Sequence, residues 1–270
     1  MRTLDVASAD GVPLDAVLHS SKGDRSKGTV VQAHGITVDK DEGGMFVRLA
    51  DTLSDKGFNV VRFSYRGHGK SGGTPRGVTV AGEMLDLQSV IEHALGAWHE
   101  PLSVLAASFG AVSSSLLLPV LGDRIDSLVL WNPVLDLEHT FLNPELPWGV
   151  ENFSPGQQRE LDTSGQLLID GEFPLSPIMW REFSLYDPLG TYTSSRIPSL
   201  VVHGDQDGYV SYDIARAAAS ARAHTDFHTV QGSDHGFDST EREDEAIRVS
   251  VDWLDTRARA VARMWAGKAR

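Results

Sequence analysis

The stretch Val104–Val112, VLAASFGAV, decides how the rest of the chain is read. A short apolar run reaches one serine, Ser108, set among small residues, and helix-compatible residues follow at once. Two readings fit. Ser108 is either a nucleophile held at the tip of a sharp strand-to-helix turn, or a helix cap. A strained turn of the first kind demands small residues two positions to either side, usually as G-x-S-x-G. Here those positions hold Ala106 and Gly110. Alanine adds one methyl, which is tolerable where φ is negative. The motif alone does not separate the two readings.

Outward from Ser108, strand-like and helix-like segments alternate. GTVVQAHG (28–35), FNVVRFSY (58–65), LSVLAA (102–107), SLVLWN (127–132), SLVVHG (199–204) and DFHTV (226–230) read as strands. Helical spacing marks 45–57, ending at Gly57, then 84–98, 213–221, and a long segment from about residue 241. Nearly continuous apolar strands between helices predict a mostly parallel central sheet with helices on both faces, an α/β fold. Two N-terminal runs around Asp10-Gly11 predict a hairpin. The rhythm breaks between Pro133 and Arg196, where prolines and aromatics accumulate and LLIDGEFPL (167–175) reads as a small hairpin. So long a stretch predicts an inserted cap at 134–190, with 1–133 and 191–270 forming the core.

The chain has 270 residues, enough to bury a core without disulfides or structural metal. Its formal net charge of −13 speaks against nucleic acid, which needs clustered cations, and against anionic membranes. It holds no cysteine, which removes disulfides and thiolate chemistry together. No apolar signal core opens the sequence and no apolar run approaches spanning length, so a soluble, cytoplasmic protein is expected. The basic close, 256–270, reads as the exposed end of the last helix.

A serine hydroxyl needs a base, and the base needs an orienting acid. Asp205 and Asp207 follow the strand SLVV, and His235 stands in a glycine-flanked loop after the next strand. Parallel strands present their C-terminal ends along one rim, so these loops should meet Ser108 there.

At this point the chain resembles the α/β-hydrolase superfamily of serine hydrolases. The matching pieces are HGI (34–36), YRGHGKS (65–71), AASFGA (106–111), HGDQDGYV (203–210) and GSDHGF (232–237), in the family's order and over nearly the whole chain. The resemblance implies Ser108 as nucleophile, His235 as base and Asp207 as acid, with Asp205 in reserve. It implies an oxyanion hole from the backbone N–H groups of Ile36 and Phe109. The expected cap loosely resembles that of bacterial feruloyl and cinnamoyl esterase-like enzymes. The implied reaction is hydrolysis of a carboxylic ester with an apolar or aromatic portion, through an acyl-enzyme on Ser108, without metal or organic cofactor. Trp131 and Trp180 are taken as candidate pocket walls.

Other readings are weighed beside this one. SYRGHGKS (64–71) mimics a phosphate loop, but Ser64 stands where its first glycine belongs and Gly72, Gly73 and Pro75 oppose the required helix. His203, Asp205 and Asp207 are too few for a metal site. The same triad could serve a thioesterase or acyltransferase for carrier- or CoA-bound acyl groups, and the scaffold could be a non-catalytic binding module. As partners the reading expects a small-molecule acyl substrate, no nucleic acid and no membrane, and it admits a homodimer.

Overall fold

The computed structural model describes residues 1–23, 25–98 and 100–268, with side chains as far as residue 261. Strands β1 (Arg2–Ala7) and β2 (Pro13–His19) form the N-terminal hairpin around Gly11, whose φ of 89° suits the turn. Then come β3 (Thr29–Ala33), α1 (Met45–Asp55), β4 (Asn59–Phe63), α2 (Val80–Trp98), β5 (Leu102–Ala107), α3 (Gly110–Leu116), the short α4 (Leu118–Leu121) and β6 (Ser127–Trp131). The intervening segment holds α5 (Pro147–Asn152), α6 (Pro155–Ser164), the pair β7 (Leu167–Ile169) and β8 (Phe173–Leu175), α7 (Pro177–Glu182) and α8 (Pro188–Ser194). Last are β9 (Ser199–Gly204), α9 (Tyr212–Ser220), β10 (Thr225–Val230) and α10 (Thr240–Lys268). The basic side chains expected at the end of α10 lie, from residue 262 on, outside the described residues.

Eight strands make one sheet in the order β1-β2-β4-β3-β5-β6-β9-β10. Only the pairs β1–β2 and β2–β4 are antiparallel, and the rest are parallel, which is the expected architecture. Strands β3, β4, β6 and β9 are buried along their whole length because helices cover both faces. Alternation splits their side chains. Val31, Ala33, Val104, Leu128 and Val201 join Leu87, Ile91 and Ala215 on one face. Val30, Leu105, Val129 and Val202 join Phe46, Leu49 and Leu254 on the other. Helix α1 shows how local sequence sets this up. Its apolar residues Met45, Phe46, Leu49, Ala50 and Leu53 share one face, and Gly57 at φ 95° turns the chain back toward β4.

The segment between β6 and β9 folds over the C-terminal rim of the sheet around an apolar cluster in which its Phe141, Phe153, Met179 and Phe183 join Ile36 and Phe109. Its hairpin turns through Asp170 and Gly171, both at positive φ. Glu182 of α7 ties it down, accepting the N–H groups of Val80 (2.6 Å) and Ala81 (3.3 Å) at the start of α2. Helix α8 belongs instead to the sheet. Its Tyr192 is buried among the sheet-covering helices and its hydroxyl meets Ser199 Oγ at 3.0 Å. The boundary expected at residue 190 falls inside this helix. Among the described residues, no helix is long and apolar enough to cross a membrane.

Candidate active site

Ser108 sits between the end of β5 and the start of α3 with φ at +49°, a conformation that side chains bearing a Cβ seldom adopt. Neighbouring strands hold it there. Its N–H donates to the Trp131 carbonyl (2.8 Å) and its own carbonyl accepts from Val134 N–H (3.0 Å). The two small flanking residues play unequal parts. Ala106 lies in β5 with no positive φ and is fully buried, so its methyl simply joins the core. A Cβ at Gly110 would stand 2.5 Å from the Ala33 carbonyl oxygen and 2.7 Å from that of His34. Helix α3 thus crosses directly under the turn after β3, and only glycine permits it.

The turn after β3 is held by imidazoles. His34 is buried, accepts Tyr65 N–H on Nε2 at 2.9 Å, and therefore donates from Nδ1 to the Gly35 carbonyl at 2.7 Å. Burial, with help from the neighbouring His68, keeps His34 well below the ordinary imidazole range and so neutral. In a trans peptide the C=O and the next N–H point opposite ways. Fixing the Gly35 carbonyl therefore fixes the Ile36 N–H. The Ile36 carbonyl is in turn met by His68 Nε2 at 2.6 Å. Among the described residues, neither the Ile36 nor the Phe109 N–H has an acceptor, and both residues line the cavity that contains Ser108.

The remaining two side chains arrive from the loops after β9 and β10. His235 Nε2 lies 3.0 Å from Ser108 Oγ, and its Nδ1 lies 2.9 Å from Asp207 Oδ2. A carboxylate only accepts, so Nδ1 carries the proton and Nε2 is free to accept the serine hydroxyl. Asp207 Oδ1 accepts the N–H groups of Tyr209 (2.8 Å) and Val210 (2.9 Å), and Oδ2 takes a second imidazole, His203 Nε2, at 3.1 Å. Burial favours the neutral acid, but His235, His203 and these bonds overcome it and hold Asp207 well below the usual carboxylate range. Burial opposes charge on His235 too. Asp207 outweighs it, with Glu42 and Asp234 adding to the effect, so the imidazole titrates above its ordinary value. Asp205 is turned elsewhere, accepting Gly232 N–H at 2.6 Å. Asp234 bridges the two loops through Gly208 N–H at 2.7 Å. Among the described residues no group of three acidic or histidine side chains is placed to hold a metal.

The cavity over Ser108 measures about 210 Å³. Its walls are Phe141, Trp148, Tyr209 and Val134, with the carboxylates of Glu42 and Asp170 at its margin. Neither expected tryptophan wall is among them. Trp131 is 1% exposed and packs between Phe46 and Phe237 on a face of the sheet, its Nε1–H donating to Ser250 of α10 at 2.8 Å. Trp180 lies against Phe153 and Phe183 inside the insertion's own cluster. Glu42, Trp148 and Tyr209 were not singled out in the sequence. Tyr209 sits inside the HGDQDGYV stretch, so its closeness to Asp207 was available there. Trp148 belongs to the insertion's aromatics, a group in which some pocket walls are expected, and nothing marks Glu42. Glu42 stands at φ 45°, accepts Gly35 N–H on Oε2 (2.9 Å), and burial pushes its carboxyl up to about 7. The apparent phosphate loop 64–71 has no helix at Lys70. Its Arg66 clasps Asp86 (2.7 Å) and Asp10 (2.9 Å), which leaves it no phosphate to bind. A larger depression, about 920 Å³, lies at the opposite rim around Leu118, Asp123 and Arg196, far from this chemistry.

Such a site can run nucleophilic acyl transfer: a hydroxyl with a base in reach, an acid orienting the base, and, on the same cavity, two residues whose N–H groups have no acceptor among the described residues. Solved structures share the fold. Est1E from Butyrivibrio proteoclasticus, solved with ferulic acid bound, superposes with a TM-score of 0.79 at 21% identity, over 95% of this chain and 99% of that one. An esterase from Pyrococcus furiosus gives 0.71 at 19% identity, over 94% and 90%. A monoacylglycerol lipase from Paleococcus ferrophilus gives 0.68 at 19%, over 90% and 99%. No curated protein sequence matches the chain. The profile of the serine aminopeptidase S33 family matches residues 24–163, just over half of the chain, and spans the turn after β3, the turn at Ser108 and the first part of the insertion. The chain has the α/β-hydrolase fold and belongs to this serine hydrolase family.

Proposed function

We propose that the protein hydrolyses a carboxylic ester with an apolar or aromatic portion, through an acyl-enzyme on Ser108. The observation that carries the reading is the unbroken chain Ser108–His235–Asp207, with contacts of 3.0 and 2.9 Å. Ser108 attacks the acyl carbon while His235 Nε2 takes its proton. Asp207 stabilises the imidazolium that results. The N–H groups of Ile36 and Phe109 receive the negative charge that builds on the carbonyl oxygen. His235 returns the proton to the departing alcohol. Water, deprotonated by the same imidazole, then releases the acid and restores Ser108. The segment 134–187 serves as a cap, supplying Phe141 and Trp148 to the substrate cavity.

The size of the cavity and its aromatic walls support a compact acyl group carrying or resembling a ring, and Est1E, of the same fold, was solved with ferulic acid bound. Asp170 beside the cavity, joined by Glu42 once the pH exceeds about 7, on a chain of net charge −13, disfavours phosphorylated acyl carriers. Turnover of short p-nitrophenyl esters and of methyl ferulate by the purified protein, set against Ser108→Ala, tests the reading. Equal rates in the two proteins reject it.

A further inference from the structure

One ring face of His235 is covered. The Tyr209 ring lies against it with centroids 4.7 Å apart and planes 12° from parallel. Trp148 stacks on Tyr209 in turn, at 5.2 Å and 20°. Three rings thus form one column from the triad to the insertion. Both Tyr209 and Trp148 are anchored. Tyr209 N–H is held by Asp207, the carboxylate that also orients His235. Trp148 N–H donates to the Gly208 carbonyl (3.2 Å), and its indole N–H donates to Asp170 Oδ1 (2.8 Å) on the hairpin turn.

Core packing does not account for Tyr209. About a third of the residue is exposed, at 36%, and among the described residues its phenol oxygen has no hydrogen-bond partner. What its ring does touch is the one imidazole that must become a cation during the proposed reaction. The face of an aromatic ring is electronegative, and a cation held over it is stabilised by an amount worth roughly two- to thirtyfold in an equilibrium.

We propose that Tyr209 is a positioning residue for this chemistry, its ring face supporting the imidazolium form of His235 while Trp148 backs it from the insertion. This rests on the reading of Ser108–His235–Asp207 as a working triad. Other groups also act on His235: Asp207 from the loop after β9, Asp234 from its own loop, and Glu42 from the turn before α1. Tyr209 itself faces Asp170 and Glu151 of the insertion. All of these stay in place when only residue 209 is changed.

The test uses the full chain with Tyr209→Phe, Tyr209→Leu, and a series of ring-fluorinated phenylalanines at 209, which keep the shape and drain charge from the face. The titration of His235 is followed by ¹⁵N NMR in a Ser108→Ala background, its signal assigned by its loss in His235→Gln. Rate against pH is recorded for p-nitrophenyl acetate with Ser108 intact. Tyr209→Phe is expected to leave the titration in place. Tyr209→Leu is expected to lower it by roughly half a unit to one and a half, and fluorination to lower it stepwise. The turnover number falls by roughly two- to thirtyfold in Tyr209→Leu, with its acid limb moving down in step. A titration that does not move across the folded fluorinated series overturns the proposal. The NMR reading needs no turnover, so absence of esterase activity rejects the hydrolase reading and leaves the ring column to be judged separately.

Discussion

Replacing Glu42 by glutamine should make the protein more stable at pH 8 and leave it unchanged at pH 4. The side chain is confined beside Ser108 and His235, and burial lifts its carboxyl from 4.5 to about 7, only partly countered by the N–H of Gly35. A carboxyl whose value is raised by folding favours the folded state while protonated. That advantage is complete below pH 4.5 and disappears as the pH climbs through 7. A rise from 4.5 to about 7 is worth about 3 kcal/mol at 1.36 kcal/mol per unit. Glutamine keeps an oxygen for the Gly35 N–H and shares the strained φ of 45°, so those contributions cancel between the two proteins. Urea denaturation at pH 4 and pH 8 measures the difference directly, with a shift in midpoint of roughly 1 M expected at the higher pH only. The acid limb of ester turnover should also move to lower pH in this variant, because Glu42 is one of the charges that raise His235. Equal stability changes at both pH values would refute the reasoning, since they would show that Glu42 acts through packing and not through its charge.

Three further outcomes follow from the same geometry. Asp207→Asn should reduce the turnover number by roughly 10⁴ and shift what remains of the acid limb downward, measured as rate against pH, because the carboxylate is what lifts His235 above its ordinary value. Gly110→Ala should destabilise the fold by roughly 2 kcal/mol or more, since its Cβ meets two backbone oxygens that cannot move alone, whereas Ala106→Gly should cost only about 0.5–1 kcal/mol; thermal unfolding of the pair separates them. Trp131→Phe should cost roughly 1–3 kcal/mol through the lost Ser250 bond and lost volume, while KM for a p-nitrophenyl ester stays put, because the indole lies in the sheet's core and away from the substrate cavity.

Long-range geometry was readable where the chain's own regularity enforces it. Parallel strands deliver their C-terminal ends to one rim, so a serine after β5, an aspartate after β9 and a histidine after β10 converge although 127 residues separate Ser108 from His235. The preference for Asp207 over Asp205 came only from the resemblance to the family; the two backbone N–H groups on its carboxylate are visible in the structure alone. The unequal tolerance of positions 106 and 110 was not readable either. It depends on how closely α3 passes the turn after β3, a packing distance that no spacing rule encodes. Trp131 misled because the end of a strand suggests the rim. Its alternation with Leu128 and Leu130, which face the other side, already places it with Val129 under α10. Trp180 misled differently: aromatics in an insertion divide between its own core and the cavity, and which helix face turns inward is settled by tertiary packing. Glu42 carries no motif at all, and its position follows from a left-handed backbone that the neighbouring Gly43 and Gly44 help to build.

The central claim is that the Ser108 hydroxyl is activated where it stands. Treating the folded protein with a fluorophosphonate and mapping the adduct by mass spectrometry addresses it without knowledge of the natural ester. One phosphonyl group per chain on the peptide bearing Ser108, absent from Ser108→Ala and much slower to form in His235→Ala, is the predicted result. A folded protein that stays unlabelled, or that labels at the same rate without the imidazole, would contradict the account.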